Sequence, residues 1–139
     1  MSLPLTEEVR SLLEAPNYVH LATLRADGSP RNWVVWVGLD GDNILVCTGD
    51  GAWKAKDMMR PGARVSMSVT DLTNPYRMAA IQGHVAEVRD DSGGEIMDGI
   101  SNKYTGQPFP MRGPGRVCFV IAVDQAGSRS LGFTHDPGQ

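Results

Sequence analysis

The chain has 139 residues, of which 41% are hydrophobic and 21% charged, a composition typical of one soluble globular domain with a continuous core. Its formal net charge of −3 and pI near 5.5 argue against general binding to nucleic acids or anionic membranes, because such proteins usually carry a basic surplus. Any site for an anionic ligand must therefore be local.

The sequence predicts a cytoplasmic protein with free thiols. It has no signal-peptide pattern at its start, and no apolar run approaches the ~20 residues that a membrane-spanning helix needs. Cys47 and Cys118 lie within apolar runs and lack the CxxC spacing of a metal or redox site. We expect two buried thiols in preference to a disulfide.

The first predicted element is a short amphipathic helix. Thr6 is a candidate N-cap, acidic residues occupy the first turn, and Pro16 ends the run. The apolar residues at helical spacing are Leu5, Val9, Leu12 and Leu13. This pattern predicts a helix that lies on the body of the fold.

The next segment predicts a meander of three strands. Strand formers from Tyr18 to Leu24 are followed by Asp27-Gly28, where glycine supplies the positive φ of a hairpin turn. A second strand is expected from Arg31 to Leu39. A turn at Asp40-Gly41-Asp42 then leads into a third strand from Asn43 to Thr48.

Two tryptophans distinguish the second strand. Trp33 and Trp36 are three residues apart, so a period of two places them on opposite faces of the sheet. One would enter the core while the other faces a pocket, a partner chain or solvent. Either ring, and the amide of Asn32, is a candidate to hold a flat conjugated ligand, although a core or interface position is the more common fate of tryptophan.

A polar loop and a short helix, expected from Ala52 to Met59, follow the third strand. Backbone N–H groups in a glycine-containing loop ahead of a helix, together with Lys54 and Lys56, favour an anion site. On a helix the two lysines would point roughly 200° apart, so both reach one ligand only if the chain there is not helical. A solvated basic helix start is the alternative, and the residues alone do not decide between them.

The second half of the chain predicts long strands and one further helix. Arg64 to Thr70 alternates, with Val65, Met67 and Val69 facing one way. A loop is expected at Asn74-Pro75. A long strand from Arg77 to Arg89 should bend at Gly83. A helix from Glu95 to Tyr104 should end at Gly106, with one apolar face formed by Ile96, Ile100 and Tyr104.

The chain should finish with a loop and a last strand. Pro108 to Gly115 predicts an ordered loop or a lid, Val117 to Val123 a strong strand, and Ser130 to Phe133 a short one before a polar tail. The total is about six antiparallel strands with two or three short helices in a single domain over residues 1–139. Strands of this kind in a small chain usually close into a barrel or a sandwich.

No familiar catalytic constellation is present in the sequence. The three histidines, His20, His84 and His135, are scattered and have no metal-ligand spacing. No GxSxG elbow places a nucleophile beside a base. We therefore expect neither a metal site nor a hydrolase, and we predict no catalytic side chain.

The order of motifs resembles that of the pyridoxamine 5′-phosphate oxidase-like split β-barrel superfamily. Within it, the sequence is most similar to the short flavin/deazaflavin oxidoreductases that bind coenzyme F420. The resemblance covers residues 5–124 and rests on these segments: Leu21–Leu24 with Asp27–Pro30, Val35-Trp36, Ile44–Thr48, Lys54–Lys56, Arg64–Val69, Asn74–Arg77, Gln82–Ala86 and Lys103–Gly106. Their order and spacing are specific, whereas no single motif is.

The resemblance implies a mainly β, FMN-binding split barrel-like fold and a homodimer with two composite cofactor sites. The strand beside the cofactor ring would contain Asn32, Trp33, Val34, Val35 and Trp36. The phosphate would be held by Lys54 and Lys56 with the hydroxyl of Thr48. Arg77 and Tyr104 would face the partner subunit's site.

The implied function is that of an F420-dependent oxidoreductase, which transfers a hydride between reduced deazaflavin and a small unsaturated organic substrate. The proton that completes the reduction would come from solvent or from Tyr104. An FMN-dependent oxidase or reductase and a non-catalytic flavin- or haem-binding protein are the alternatives. One departure from the usual pattern is Asp57, an acid beside the lysines that should weaken the local positive potential.

Overall fold

The computed structural model describes residues 2–138, so the ends of the predicted domain, residues 1 and 139, lie outside the described part. Within it, one antiparallel sheet of seven strands is combined with three helices. The strands are β1 (Val19–Leu24), β2 (Pro30–Val35), β3 (Gly38–Asp40), β4 (Asn43–Gly49), β5 (Arg64–Asp71), β6 (Asn74–Asp90) and β7 (Arg116–Ser130). The helices are α1 (Glu7–Glu14), α2 (Trp53–Met58) and α3 (Glu95–Thr105). The mainly β class is confirmed, with one strand more than expected.

The additional strand arises because the predicted second strand is broken. β2 pairs with β1, the chain leaves the sheet at Trp36-Val37, and β3 pairs with β4 instead. Both predicted hairpins are confirmed, but the sheet order is β2-β1-β5-β6-β7-β4-β3, so they stand at opposite ends of the sheet and a continuous three-stranded meander is wrong. The sequence gives no turn signal here because the break is buried: Val35 and Val37 are 8% and 0% exposed.

This break closes the sheet on itself. β2 and β3 stand at opposite ends of the strand order, yet the chain joins them through two residues. The Cα atoms of Val35 and Gly38 can therefore be at most about 11 Å apart. A seven-stranded sheet with its ends held this close must curl around its buried face.

The main core fills the inside of the curled sheet and is covered by α1. Thr6 caps α1, with its hydroxyl accepting from the backbone N–H of Val9 at 3.3 Å. The predicted alternation in β5 is confirmed, because its apolar side chains are buried and its serines exposed. The buried apolar side chains of α1 and β5 are Val9, Leu12, Leu13, Val65, Met67 and Val69.

A second apolar cluster lies between α3 and the outer face of the β4–β7 pair. Its buried members are Leu45, Met97, Ile100, Cys118 and Val120. The carboxylate of Asp91 accepts from the backbone N–H groups of Ile96 and Met97, each at 3.0 Å, and so satisfies the first turn of α3. α3 approaches β3 so closely that a Cβ on Gly38 would lie 2.8 Å from Cγ1 of Ile100.

Two predictions about the β5–β6–β7 region are wrong. The loop expected at Asn74-Pro75 is wrong, because the turn lies at Leu72-Thr73 and the carboxylate of Asp71 accepts from the Thr73 N–H at 2.8 Å. The separate strand expected from Ser130 to Phe133 is also wrong, because β7 continues to Ser130 and pairs with β6 throughout.

No helix among residues 2–138 is long and apolar enough to cross a membrane.

The expected bend at Gly83 is confirmed by a register shift between Gln82 and Gly83. A Cβ at Gly83 would lie 2.5 Å from the carbonyl oxygen of Ala122, which is backbone and cannot rotate away. We predict that Gly83→Ala destabilises the fold by about 1–3 kcal/mol, as measured by urea unfolding. Gly127→Ala on the paired strand is the control, because nothing lies within 4 Å of the added Cβ. Equal stability of the two variants would contradict this account of the bend.

Candidate functional site

A cleft of about 400 Å³ lies between β2, β4, α2 and α3, a volume within the range of small-molecule sites. It is lined by Tyr18, Val34, Val35, Trp36, Cys47, Lys54, Met97 and Phe109. The lining combines three aromatic rings with one lysine. Four of these residues, Val34, Val35, Trp36 and Lys54, belong to the set predicted to bind a cofactor.

The aromatic wall of the cleft is a stack built around Trp36. Its ring lies parallel to that of Tyr104, with centroids 5.0 Å apart and planes inclined by 7°. Phe109 meets Trp36 edge-on at 6.2 Å. Tyr104 thus supports Trp36 from behind, where it forms part of the second cluster. Stacked and edge-on contacts of this kind fix ring orientation.

The hydroxyl of Tyr104 is committed to the backbone. It donates to the carbonyl oxygen of Asn17 at 2.6 Å and accepts from the N–H of Val37 at 3.2 Å. Burial raises the pKa of Tyr104 above its ordinary value. This hydroxyl is consequently poorly placed to supply the proton suggested from the sequence, since its hydrogen already has an acceptor.

Lys103 completes the attachment of α3 to the break between β2 and β3. Its Nζ donates to the carbonyl oxygens of Val37 at 2.6 Å and Leu13 at 2.7 Å. Burial lowers the pKa of Lys103 to about 8, against a smaller opposing effect of Glu14. Both backbone polar groups of Val37 are therefore satisfied by consecutive residues of α3.

The two predicted phosphate lysines separate in the structure. Lys54 lines the cleft, with its Nζ 5.9 Å from the ring centroid of Trp33. Burial, with a further contribution from the charge of Arg116, lowers the pKa of Lys54. Lys56 lies instead over the exposed ring of Trp53, at 4.5 Å. Because α2 is already helical at Trp53, the two side chains diverge as helical geometry requires.

Asp57 does not face these lysines. It is 4% exposed and accepts hydrogen bonds from Thr23 at 2.7 Å and from Arg31 at 2.8 Å, with Arg60 at 3.9 Å. Burial alone would raise its pKa, but the hydrogen bonds from Arg31 and Thr23 and the two arginine charges outweigh burial and lower it. The expected weakening of the positive potential is thus offset, because Asp57 is neutralised on the inner side of α2.

Four other predicted residues lie away from the cleft lining. Asn32 is exposed on β2, and Trp33 is 46% exposed. Thr48 is 7% exposed and points to the face of β4 opposite Cys47. Arg77 forms an ion pair with Asp71 at 3.1 Å and also donates to Ser11. Their roles in cofactor binding stay predictions.

Sequence reasoning missed several residues of the cleft. Cys47 could have been found from strand alternation, because it follows Leu45 on the face that packs against α3. Phe109 lies in a proline-rich loop with no periodicity, and is held by the Asp98 carboxylate, which accepts from its N–H at 3.0 Å. Arg116, which lies outside the lining but over the ring of Phe109 at 5.4 Å, has no sequence signal either.

The two cysteines are free, as predicted. Cys47 and Cys118 are directly opposite each other on β4 and β7. Contact with the Cys118 thiol, followed by burial, raises the pKa of Cys47 well above its ordinary range. Cys118 is fully buried, whereas Cys47 is only partly so because it borders the cleft.

The arrangement of the described side chains does not support a metal site. Among residues 2–138, no three histidine, cysteine or carboxylate side chains come together in a way that could hold an ion. The cleft lining likewise contains no histidine and no carboxylate. Its lining offers aromatic and aliphatic surface, the Tyr18 hydroxyl, the Cys47 thiol and one cation.

Comparison with known proteins agrees with the fold. The pyridoxamine 5′-phosphate oxidase family model matches residues 5–129. A solved F420 reductase is 30% identical, with a TM-score of 0.78 over 88% of this chain and 98% of that one. A conserved hypothetical protein from Mycobacterium tuberculosis is 22% identical, with a TM-score of 0.75 over 95% and 91% of the two chains.

A third similar structure is the FAD and haem binding protein from Mycobacterium smegmatis. It is 18% identical, with a TM-score of 0.69 over 94% of this chain and 74% of that one. No curated protein matched the sequence. Together these findings confirm the split-barrel fold class and the superfamily that the order of motifs indicates.

The lowered pKa of Lys103 leads to a prediction about how the free energy of unfolding depends on pH. In the unfolded chain Lys103 holds its proton up to about pH 10.5, whereas in the fold it releases the proton near pH 8. The unfolded state thus binds more protons between these values, so the free energy of unfolding should rise with pH in that window. Because Lys103 is only half-buried, we expect a rise on the order of 1 kcal/mol.

Urea unfolding of the wild type and of Lys103→Arg between pH 7.5 and 9.5 measures this effect. Arginine retains the hydrogen-bond donors but does not titrate in this range, so the rise should be absent in the variant. Equal pH slopes for the two proteins would show that Lys103 does not titrate as described.

Proposed function

We propose that this chain, which belongs to the pyridoxamine 5′-phosphate oxidase family, is an oxidoreductase that binds coenzyme F420 in the aromatic cleft and reduces a small unsaturated organic substrate. The observation that carries the proposal is the combination of the Trp36 stack with Lys54 in one cleft. The similarity to an F420 reductase at 30% identity supports the choice of cofactor.

The residues of the cleft fit a flat anionic cofactor. Trp36 and Phe109 offer apolar surface whose orientation is fixed by their mutual contact and by Tyr104. Lys54 provides a partly buried cation, which would interact with an anionic group more strongly than a fully solvated lysine would. Flat rings are held in proteins by large apolar surfaces with a few placed polar groups.

The protein would contribute binding, orientation and exclusion of water. When bound, the cofactor supplies the hydride chemistry. Trp36 and Phe109 would hold the ring plane, Val34 and Val35 would keep water from one side, and Lys54 would bind an anionic group. The lining contains no histidine and no carboxylate, so the proton that completes a reduction would come from solvent.

A second copy of the chain would complete the site. Large apolar side chains beside the cleft are exposed to solvent, with Trp33 at 46%, Trp53 at 60% and Val34 at 58%. Trp33 and Val34 are neighbours on β2, and Lys54, next to Trp53, lies near the Trp33 ring. Exposed apolar side chains grouped in this way mark interaction sites. A homodimer through this surface would cover the open side of the cleft, and Arg77 could then come from the other copy.

The nearest alternative is an FMN-dependent oxidase or reductase, since the same cleft would accept the ring and the phosphate of FMN. A non-catalytic flavin- or haem-binding protein is the further alternative. It is favoured by the lack of a histidine or carboxylate in the cleft and by the fold shared with an FAD and haem binding protein.

Parallel titrations with F420 and FMN test the proposal. We expect F420 to bind more tightly, as measured by ligand fluorescence or equilibrium dialysis. A preference for FMN would favour the first alternative, and failure to bind either would overturn the proposal. Oxidation of reduced F420 in the presence of quinones, tetrapyrroles, unsaturated lactones or nitro compounds would then identify the substrate class.

The divergence of the two lysines makes a further prediction. Lys54→Gln should weaken cofactor binding at least tenfold, because a charge-assisted contact in the cleft is worth about 1.5–3 kcal/mol. Lys56→Gln, two residues away on the same helix, should change the affinity less than threefold. Equal losses in both variants would mean that the cofactor anion lies outside the cleft, towards Trp53.

The dimer is tested separately by sedimentation at micromolar concentration. We expect the wild type to be dimeric and Trp53→Asp to be largely monomeric, because the variant puts a charge into the apolar contact. Phe133→Asp is the matched control, since Phe133 is equally exposed at 66% but lies in the C-terminal tail. A monomeric wild type would rule out the composite site.

A further inference from the structure

Arg116 lies over Phe109, which lines the cleft together with Lys54. Its guanidinium Cζ is 5.4 Å from the ring centroid of Phe109, which lines the cleft. One of its Nη atoms is 3.6 Å from the point that a Cβ on Gly49 would occupy. Gly49 ends β4 and opens the loop to α2, which carries Lys54. The guanidinium therefore lies between this loop and the aromatic wall.

Neither Arg116 nor Lys54 has a carboxylate partner. The arginines that form ion pairs are Arg10, Arg31, Arg60, Arg77, Arg89 and Arg112. Across the described residues, Arg116 and Lys54 take part in no such pair. Two acidic residues lie near the backbone around Arg116. Asp91, whose N–H donates to the Arg116 carbonyl oxygen, uses its carboxylate to accept from the first turn of α3. Asp50, whose carboxylate lies beside Gly115, forms no ion pair among the described residues.

Phe109 links the two positive charges, because Arg116 lies over its ring and Lys54 lines the same cleft. In agreement with this arrangement, the charge of Arg116 contributes to the lowered pKa of Lys54. Holding like charges together beside a partly buried cleft costs free energy, and more so where desolvation has already weakened their hydration. An anion bound between them would remove this cost. The protein as a whole has a net charge of −3, so the pair is not part of a general basic surface.

Packing of Arg116 on Phe109 is a structural alternative. A cation–π contact at an exposed site contributes only about 0.5–1 kcal/mol, and it would orient the guanidinium without explaining why Lys54 is left unpaired beside it. Arg31 shows what a purely structural arrangement looks like here. It lies over the ring of Trp53 and is also neutralised by Asp57.

We propose that Arg116 and Lys54 form an anion-binding pair at one end of the aromatic cleft, which holds an anionic oxygen group of a flat heteroaromatic ligand. The inference rests on the proposed function in that it places the ligand ring against Trp36 and Phe109. The inference goes beyond the proposed function by assigning Arg116, in place of Lys56, as the partner of Lys54 in anion binding. The anionic oxygens belong either to a phosphate or to the reduced ring.

Ligand pairs in which one member lacks the phosphate test the proposal, and FMN with riboflavin is the pair that differs in the phosphate alone. Affinities of the wild type, Arg116→Gln and Arg129→Gln are measured for FMN against riboflavin, and for F420 against its phosphate-free deazaflavin core. Arg129 is an exposed arginine on the same strand and serves as the control. We expect Arg116→Gln to lose at least tenfold for the phosphorylated ligands and less than twofold for the others, with Arg129→Gln unchanged.

Measurements on the reduced ligands separate the two sources of the anion. A loss in Arg116→Gln that appears for phosphate-free ligands only when they are reduced places the anionic oxygens on the ring and also supports the pair. Equal losses for all ligands in both redox states, or no loss at all, would overturn the proposal while leaving the proposed function intact.

A ligand-independent measurement covers the case in which the wild type binds none of these compounds and the proposed function fails. The melting temperature is compared in phosphate and chloride buffers of equal ionic strength. Stabilisation of the wild type by phosphate that is lost in Arg116→Gln and retained in Arg129→Gln supports the pair. Equal phosphate responses in all three proteins would refute it.

Discussion

The attachment of α3 to the break at Val37 is the interaction on which the rest of the structure depends. The N–H of Val37 donates to the hydroxyl of Tyr104, and its carbonyl accepts from Lys103. Without these partners, two backbone groups would be left unsatisfied in the core, at a cost of about 1–3 kcal/mol each. The break both joins the ends of the sheet and turns Trp36 out of the strand, so barrel closure and the aromatic wall share one origin.

The two sides of α2 differ in charge. On its inner side, Asp57 is buried and neutralised by Arg31 and Arg60. On the side of the cleft, Lys54 has no acidic partner in the described chain and shares its surroundings with Arg116. A six-residue helix contributes little dipole, so side chains supply the positive potential of the cleft. An acidic protein can in this way present a local site for an anion.

Patterns carried by neighbouring residues were predictable from the sequence, whereas contacts between distant segments were not. The cap at Thr6 and the alternation of Val65, Met67 and Val69 follow from local rules and are confirmed. The break at Trp36-Val37 lacks glycine, proline or polar residues, because its hydrogen-bond partners come from α3. The candidate site was limited in the same way, because it depends on contacts between distant segments. Lys54 and Lys56 could be identified in the sequence, but only the fold shows that they diverge and that Arg116 lies over the cleft residue Phe109.

The close contact of α3 with Gly38 has a consequence for dynamics. Ile100 packs directly over Gly38, and the hydrogen bonds of Tyr104 and Lys103 to Val37 hold α3 to the same segment. These contacts oppose shear and hinge motions of the helix and so favour preorganised cleft walls. A ligand would meet a surface that has already lost its conformational entropy during folding, so little of the binding free energy would be spent on ordering the protein.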